Sequence, residues 1–110
     1  MITLTMLRED GRIQGFTCSG HANQGDYGND LVCSAVSAIT QTCVIGIAEV
    51  LKLDAAIAVS ETGGIDCRLP KGLGETERQQ AELLMRTMLA GLQSVQASYP
   101  GTLKTIDREV

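Results

Sequence analysis

Asp30-Leu31-Val32-Cys33-Ser34-Ala35-Val36-Ser37-Ala38-Ile39-Thr40-Gln41-Thr42-Cys43-Val44-Ile45-Gly46-Ile47-Ala48-Glu49-Val50-Leu51 is the stretch on which the fold turns. Leu31, Val32, Ala35, Val36, Ile39, Cys43, Ile47, Val50 and Leu51 recur at helical spacing. A helix apolar on most of its circumference is expected to pack against a sheet on one side and another surface on the other. Asp30 suits its N-cap, because a carboxylate there accepts from backbone N–H groups two and three residues on. Leu31 is then the first helical position and Cys33 the third. The run from Leu31 to Ala48 has no charged residue, which raises the question of a membrane span. Ser34, Ser37, Thr40, Gln41 and Thr42 make it a poor one, so a buried core helix is expected.

Upstream, Ile2, Leu4 and Met6 alternate with Thr3, Thr5 and Leu7, the period of a half-buried strand. Asp10-Gly11 is a hairpin turn signal, and Ile13 to Cys18 reads as the returning strand. A loop from Gly20 to Asn29 leads into the helix. Downstream, Ala55–Val59 and Ile65–Leu69 flank Thr62-Gly63-Gly64 as a second hairpin. Thr76-Glu77-Arg78-Gln79 matches a capping box, with Gln79 reaching back. Ala81, Leu84, Met85, Met88, Leu92 and Val95 form the inward stripe of a second helix, which Tyr99-Pro100-Gly101 ends. Leu103 to Arg108 alternates as a last strand. The order β-β-α-β-β-α-β predicts one α+β (α/β-like) domain over residues 1–110, a mixed sheet with two helices.

The 110 residues carry 9 Lys and Arg against 13 Asp and Glu, a net charge of −4. With no basic patch and few aromatics, direct nucleic-acid binding is not expected. The N-terminus has neither a basic start nor an apolar stretch with a cleavage site, so no signal peptide and a cytoplasmic location are expected. Cys18, Cys33, Cys43 and Cys67 then read as reduced thiols. They lack the close pairing of metal sites, so neither a metal nor another cofactor is expected.

His21 is the sole histidine, and with Cys33 it flanks the glycine-bearing loop. Nucleophilic cysteine catalysis needs a thiolate and an imidazole that takes and returns its proton. A helix N-terminus favours the thiolate, and its N–H groups can bind an oxyanion. Cys33 as core filler and His21 as a surface residue are the plain readings set against this. Asp30 is a cap first; a triad-like role in orienting His21 is the second reading, and its charge opposes a thiolate at Cys33. Cys18 is the rival nucleophile, without help from a helix terminus. Ser34 and Ser37 flank the site and read as packing residues. Tyr27 reads as a substrate contact or a loop anchor.

Gly20-His21-Ala22, then Tyr27-Gly28-Asn29-Asp30-Leu31-Val32-Cys33-Ser34-Ala35-Val36-Ser37-Ala38, closely resembles the ribosomal-processing cysteine protease (Prp) family. That family's pattern is Gly-His-Ala, a short variable loop, then Gly-x-Asp-[Ile/Val/Leu]-Val-Cys-Ala-Ala-Val-Ser. Ser34 departs from the usual alanine, and Asn23-Gln24-Gly25-Asp26 departs from the commoner loop. The resemblance implies a homodimeric endopeptidase that removes an N-terminal extension from protein twenty-seven of the bacterial large ribosomal subunit. It implies Cys33 as nucleophile, His21 as base, Asp30 in support, and Gly20, Ala22, Tyr27 and Gly28 in the substrate loop. The alternative reading is a non-enzymatic, ribosome-associated dimeric binding module of the same fold. A third is a metal or redox site of Cys18, His21 and Cys33.

Overall fold

The computed structural model describes residues 1–20 and 30–110. Most of the loop expected from Gly20 to Asn29 lies outside them. Strands β1 (Ile2–Glu9) and β2 (Arg12–Ser19) form the first hairpin. Its two loop residues, Asp10 and Gly11, have φ of 52° and 79°. Two positive φ values in succession are what a type I′ turn requires, and its twist matches that of the paired strands. Helix α1 (Leu31–Ile45) follows, then strands β3 (Ala56–Val59) and β4 (Ile65–Arg68), helix α2 (Glu75–Ser98) and strand β5 (Leu103–Glu109). The five strands form one sheet in the order β3-β4-β2-β1-β5. Only β5 runs parallel to its neighbour, β1. The expected element order and the mixed α+β architecture are both found.

One face of the sheet carries the core. Leu4, Met6, Phe16 and Cys67 meet Val36, Cys43 and Ile47 from the first helix region and Ala81, Met85 and Leu92 from α2. Full burial of side chains such as Leu4 or Phe16 stabilises the fold by roughly 1.5–3 kcal/mol each. Gly46 lets the helices approach: a Cβ there would lie 3.0 Å from Leu84 Cδ1. Gly15 does the same within the sheet, where a Cβ would run into the Cys67 carbonyl oxygen. Arg12 ties β2 to α2 through Glu75 at 2.8 Å and Glu82 at 2.9 Å.

Several details differ from the sequence reading. Leu7, expected on the solvent side of β1, is fully buried. It lies on an interior strand, flanked by Gly15 and Arg108 beside a bulge that leaves Gln14 as the extra residue. The capping box of α2 begins two residues earlier than expected. Gly74 is the N-cap, and Glu77, not Gln79, reaches back to accept from its N–H at 3.3 Å. Glycine offers no side-chain oxygen, so only half of the reciprocal pair exists.

The first helix does not run evenly to Leu51. Gly46–Val50 forms a π-helical turn, closed by the Leu51 N–H on Gly46 O at 2.9 Å. The segment Leu31–Val50 is long and apolar enough to cross a membrane by length and composition. Here it is a core helix on one face only. Thr40, buried, donates its hydroxyl to Val36 O at 2.9 Å, whereas Leu31, Ile45 and Val50 are exposed. On the edge strand β3, Ile57 and Val59 are also exposed, although they share the sheet face of buried Cys67 and Ile65.

Candidate active site

The chain turns into α1 at Asp30, whose backbone is still extended (φ −80°, ψ 100°). The carboxylate then takes two hydrogen bonds from one residue. Oδ1 accepts from the Cys33 N–H at 3.0 Å, and Oδ2 accepts from the Cys33 thiol at 3.2 Å. The first bond is the expected cap. The second could not be read from the sequence, because it depends on the rotamers of both side chains. The expectation that first-turn N–H groups bind an oxyanion is narrowed in consequence. Cys33 N–H serves the cap and Ser34 N–H bonds Asp30 O at 3.1 Å. Leu31 and Val32 N–H groups are the ones a helix cannot satisfy internally.

Cys33 is half-buried, and Cys18, Cys43 and Cys67 are buried. It borders a cavity of about 130 Å³ at the end of the sheet where β1 starts and β2 finishes. Ile2, Cys18 and Gly20 wall one side, Ser37 on α1 another, and Thr62 and Gly63 of the β3–β4 hairpin a third. Ser34 is exposed and outside this wall. The hairpin's part in the site carried no sequence signal; it comes from the pairing of β4 with β2.

Gly20 closes β2 with φ of 101°. A Cβ there would collide with the Met1 carbonyl oxygen and lie 3.2 Å from Ile2 Cα. Only glycine carries the chain past β1 at this point, immediately before His21. His21, Ala22, Tyr27 and Gly28 lie outside the described residues.

The remaining thiols are chemically quiet. Burial pushes Cys18 up to about 11, with the nearby Cys33 adding to the effect. Burial raises Cys43 to about 12, assisted by Cys67, and Cys67 itself to about 11. All three stay protonated at neutral pH, and a protonated, buried thiol is a poor nucleophile towards a substrate carbonyl outside the core. That argues against Cys18 as the nucleophile and leaves Cys33 as the accessible one. A half-buried thiol at a helix start, beside a carboxylate and a cavity, is suited to attack on a carbonyl carbon once its proton is removed.

The sequence model of the Cysteine protease Prp family matches residues 1–104. The ribosomal processing cysteine protease Prp of Bacillus subtilis (strain 168) is 31% identical over 106 residues, covering 94% of this chain and 95% of the relative. Its counterpart in Staphylococcus aureus (strain NCTC 8325 / PS 47) is 29% identical over 100 residues, covering 90% and 92%. The fold agrees as well. The crystal structure of the essential ribosomal processing protease Prp from Staphylococcus aureus, with a covalently linked product peptide, superposes with a TM-score of 0.86 at 26% identity, covering 98% of this chain and 100% of that one. The same enzyme with a substrate peptide gives 0.80 at 26% identity over the same shares. With its fold and nearly its whole length matched, this chain belongs to the Prp family of cysteine proteases.

Proposed function

We propose that this protein is the endopeptidase that removes an N-terminal extension from protein twenty-seven of the large ribosomal subunit, with Cys33 as nucleophile and His21 as its base. The observation that carries the reading is the accessible Cys33 thiol at the start of α1, bordering a cavity at the sheet end. The relatives' names point to ribosomal processing, and a relative's crystal structure with a covalently linked product peptide supports a peptide substrate.

The chemistry balances on these residues. His21 takes the Cys33 proton, and the thiolate sulfur bonds to the scissile carbonyl carbon. The C–N bond then breaks, and His21 returns the proton to the leaving amine. Water, deprotonated by the same imidazole, cleaves the thioester and regenerates the thiol. Leu31 and Val32 N–H groups are our candidates for the oxyanion. Asp30 bonds the thiol in its protonated form. It therefore restrains the nucleophile until substrate and an imidazolium at His21 offset its charge.

The working unit in this reading is a homodimer in the cytoplasm. Leu31, Ala38 and Ile45 recur every seven residues and so share one face of α1. All three are exposed, and Ala38 lines an apolar groove of about 380 Å³ between α1 and α2. A second copy of the chain is the cover we assign to this face, in preference to lipid. The four cysteines form no disulfide, consistent with a reducing compartment.

The test is cleavage of a peptide carrying the ribosomal-protein extension, read by mass spectrometry. A single cut by the wild type and none by Cys33→Ala or His21→Ala, each folded, is expected. Cleavage retained by purified Cys33→Ala would sink the proposal.

A further inference from the structure

We propose that Cys18 and Cys33 join in a reversible disulfide when the protein meets peroxide, shutting off the active-site thiol and shielding it from irreversible oxidation. The proposal rests on the reading of Cys33 as nucleophile and adds a control on that same site.

Two placements carry it. Cys18, near the end of β2, and Cys33, in the first turn of α1, border the same small cavity from different elements. Cys43 and Cys67 do not line that cavity. The second placement is unequal access. Cys18 is 6% exposed, whereas Cys33 is half-buried. An oxidant therefore meets Cys33 first, and Cys18 is held in reserve as a resolving thiol. Burial also keeps Cys18 protonated, which protects it from direct oxidation.

The local charge favours the disulfide over the alternatives. The described walls of the cavity carry no charged side chain, and the carboxylate of Asp30 lies 3.2 Å from the Cys33 sulfur. Sulfinic and sulfonic acids ionise readily, and an anion beside that carboxylate is opposed. A disulfide is neutral and suits a small uncharged cavity.

The steps balance with hydrogen peroxide as oxidant. The Cys33 sulfur attacks one peroxide oxygen, the O–O bond breaks, and the departing hydroxide takes the thiol proton to become water. Cys33 is now a sulfenic acid, oxidised by two electrons. The Cys18 sulfur then attacks the Cys33 sulfur, and the S–O bond breaks. The second hydroxide leaves as water with the Cys18 proton. A dithiol reductant returns the two electrons and restores both thiols.

The experiment treats reduced full-length protein with hydrogen peroxide, blocks remaining thiols with N-ethylmaleimide, and maps peptides by mass spectrometry. In parallel, peptide cleavage is measured before oxidation, after it, and after dithiothreitol, each variant scaled to its own untreated sample. A cross-linked peptide pair joining Cys18 to Cys33 is expected in the wild type, with activity lost and then nearly all regained. Cys18→Ala should lose activity at the same dose and regain less than about one tenth of it, with Cys33 found as sulfinic or sulfonic acid. An oxidised wild type in which Cys18 is fully labelled by N-ethylmaleimide would overturn the proposal, as would equal recovery in Cys18→Ala. Cys18→Ser serves if the alanine variant does not fold, and the wild-type map decides alone if neither does. The map needs no protease activity. Failure of untreated protein to cut any peptide therefore counts against the protease reading, while the cross-link result separately decides the switch.

Discussion

Asp30 grips Cys33 with both carboxylate oxygens, one on the backbone N–H at 3.0 Å and one on the thiol at 3.2 Å. The residue that caps the helix is thus also the residue that accepts from the Cys33 thiol, and under the proposed function it restrains that thiol. Capping and restraint are separable, because the cap needs only an oxygen acceptor and the restraint needs negative charge. Asp30→Asn should keep the cap, changing stability by less than about 0.5 kcal/mol. It should raise the rate of iodoacetamide alkylation at Cys33 by about tenfold at neutral pH, since a thiolate no longer faces a carboxylate. Asp30→Ala should also lose roughly 1 kcal/mol of stability through the missing cap. An unchanged alkylation rate in Asp30→Asn would show that the carboxylate does not restrain the thiol.

Gly20 sets the point at which the chain leaves β2 for the loop. Its φ of 101° and the Met1 carbonyl oxygen beside it admit no Cβ. Gly20→Ala is expected to destabilise the fold by about 1–3 kcal/mol. Under the proposed function, cleavage should fall more than stability accounts for, because the backbone that leads into His21 changes course at Gly20. Urea unfolding and a cleavage assay on the folded fraction check both. Full activity in Gly20→Ala would show that the loop tolerates a different exit from the strand.

Alkaline pH should weaken the fold through its buried thiols. Cys18, Cys43 and Cys67 stand at about 11, 12 and 11 in the folded chain against 9.0 for an ordinary thiol. Burial favours the neutral form, so this stabilisation is fully present below pH 9. It is lost as the pH rises from 9, where unfolded thiols ionise, through 11–12, where the folded ones do. At about 1.4 kcal/mol per pKa unit, the shifts correspond to at most about 3 kcal/mol each for Cys18 and Cys67 and about 4 kcal/mol for Cys43. Urea midpoints under reducing conditions should fall between pH 8 and pH 10.5. The fall should be smaller in Cys43→Ala, where one such thiol is gone. A midpoint flat over that range would contradict it.

The exposed apolar face of α1 yields a prediction about assembly. Leu31 and Ile45 are 72% and 51% exposed, so a charge at either costs the monomer little. Ile45→Glu should shift sedimentation at micromolar concentration from dimer towards monomer, with melting of the monomer little changed. A wild type that sediments as a monomer would remove the basis for the dimer.

The sequence by itself determined much of this protein. Alternating Ile2, Leu4 and Met6 marked a strand, Asp10-Gly11 a hairpin, and the three- and four-residue spacing after Asp30 a helix. These are local properties, since backbone dihedrals and apolar period are set by near neighbours along the chain. The same locality made the Asp30 cap on Cys33 legible. What the tertiary structure decided are matters of long-range approach. The Thr62–Gly63 hairpin borders the Cys33 cavity because β4 pairs with β2. Cys18 shares that cavity, and its thiol is quiet, because the fold buries it. Leu7 is buried although its place in the alternation puts it opposite Leu4 and Met6, next to the bulge at Gln14. The second oxygen of Asp30 meets the thiol through side-chain rotamers that only packing selects. The apolar period of α1 announced buried surface on most of its circumference, but period does not say what covers each face. Within one chain the sheet and α2 cover one face of α1, and Leu31, Ile45 and Val50 remain outside it.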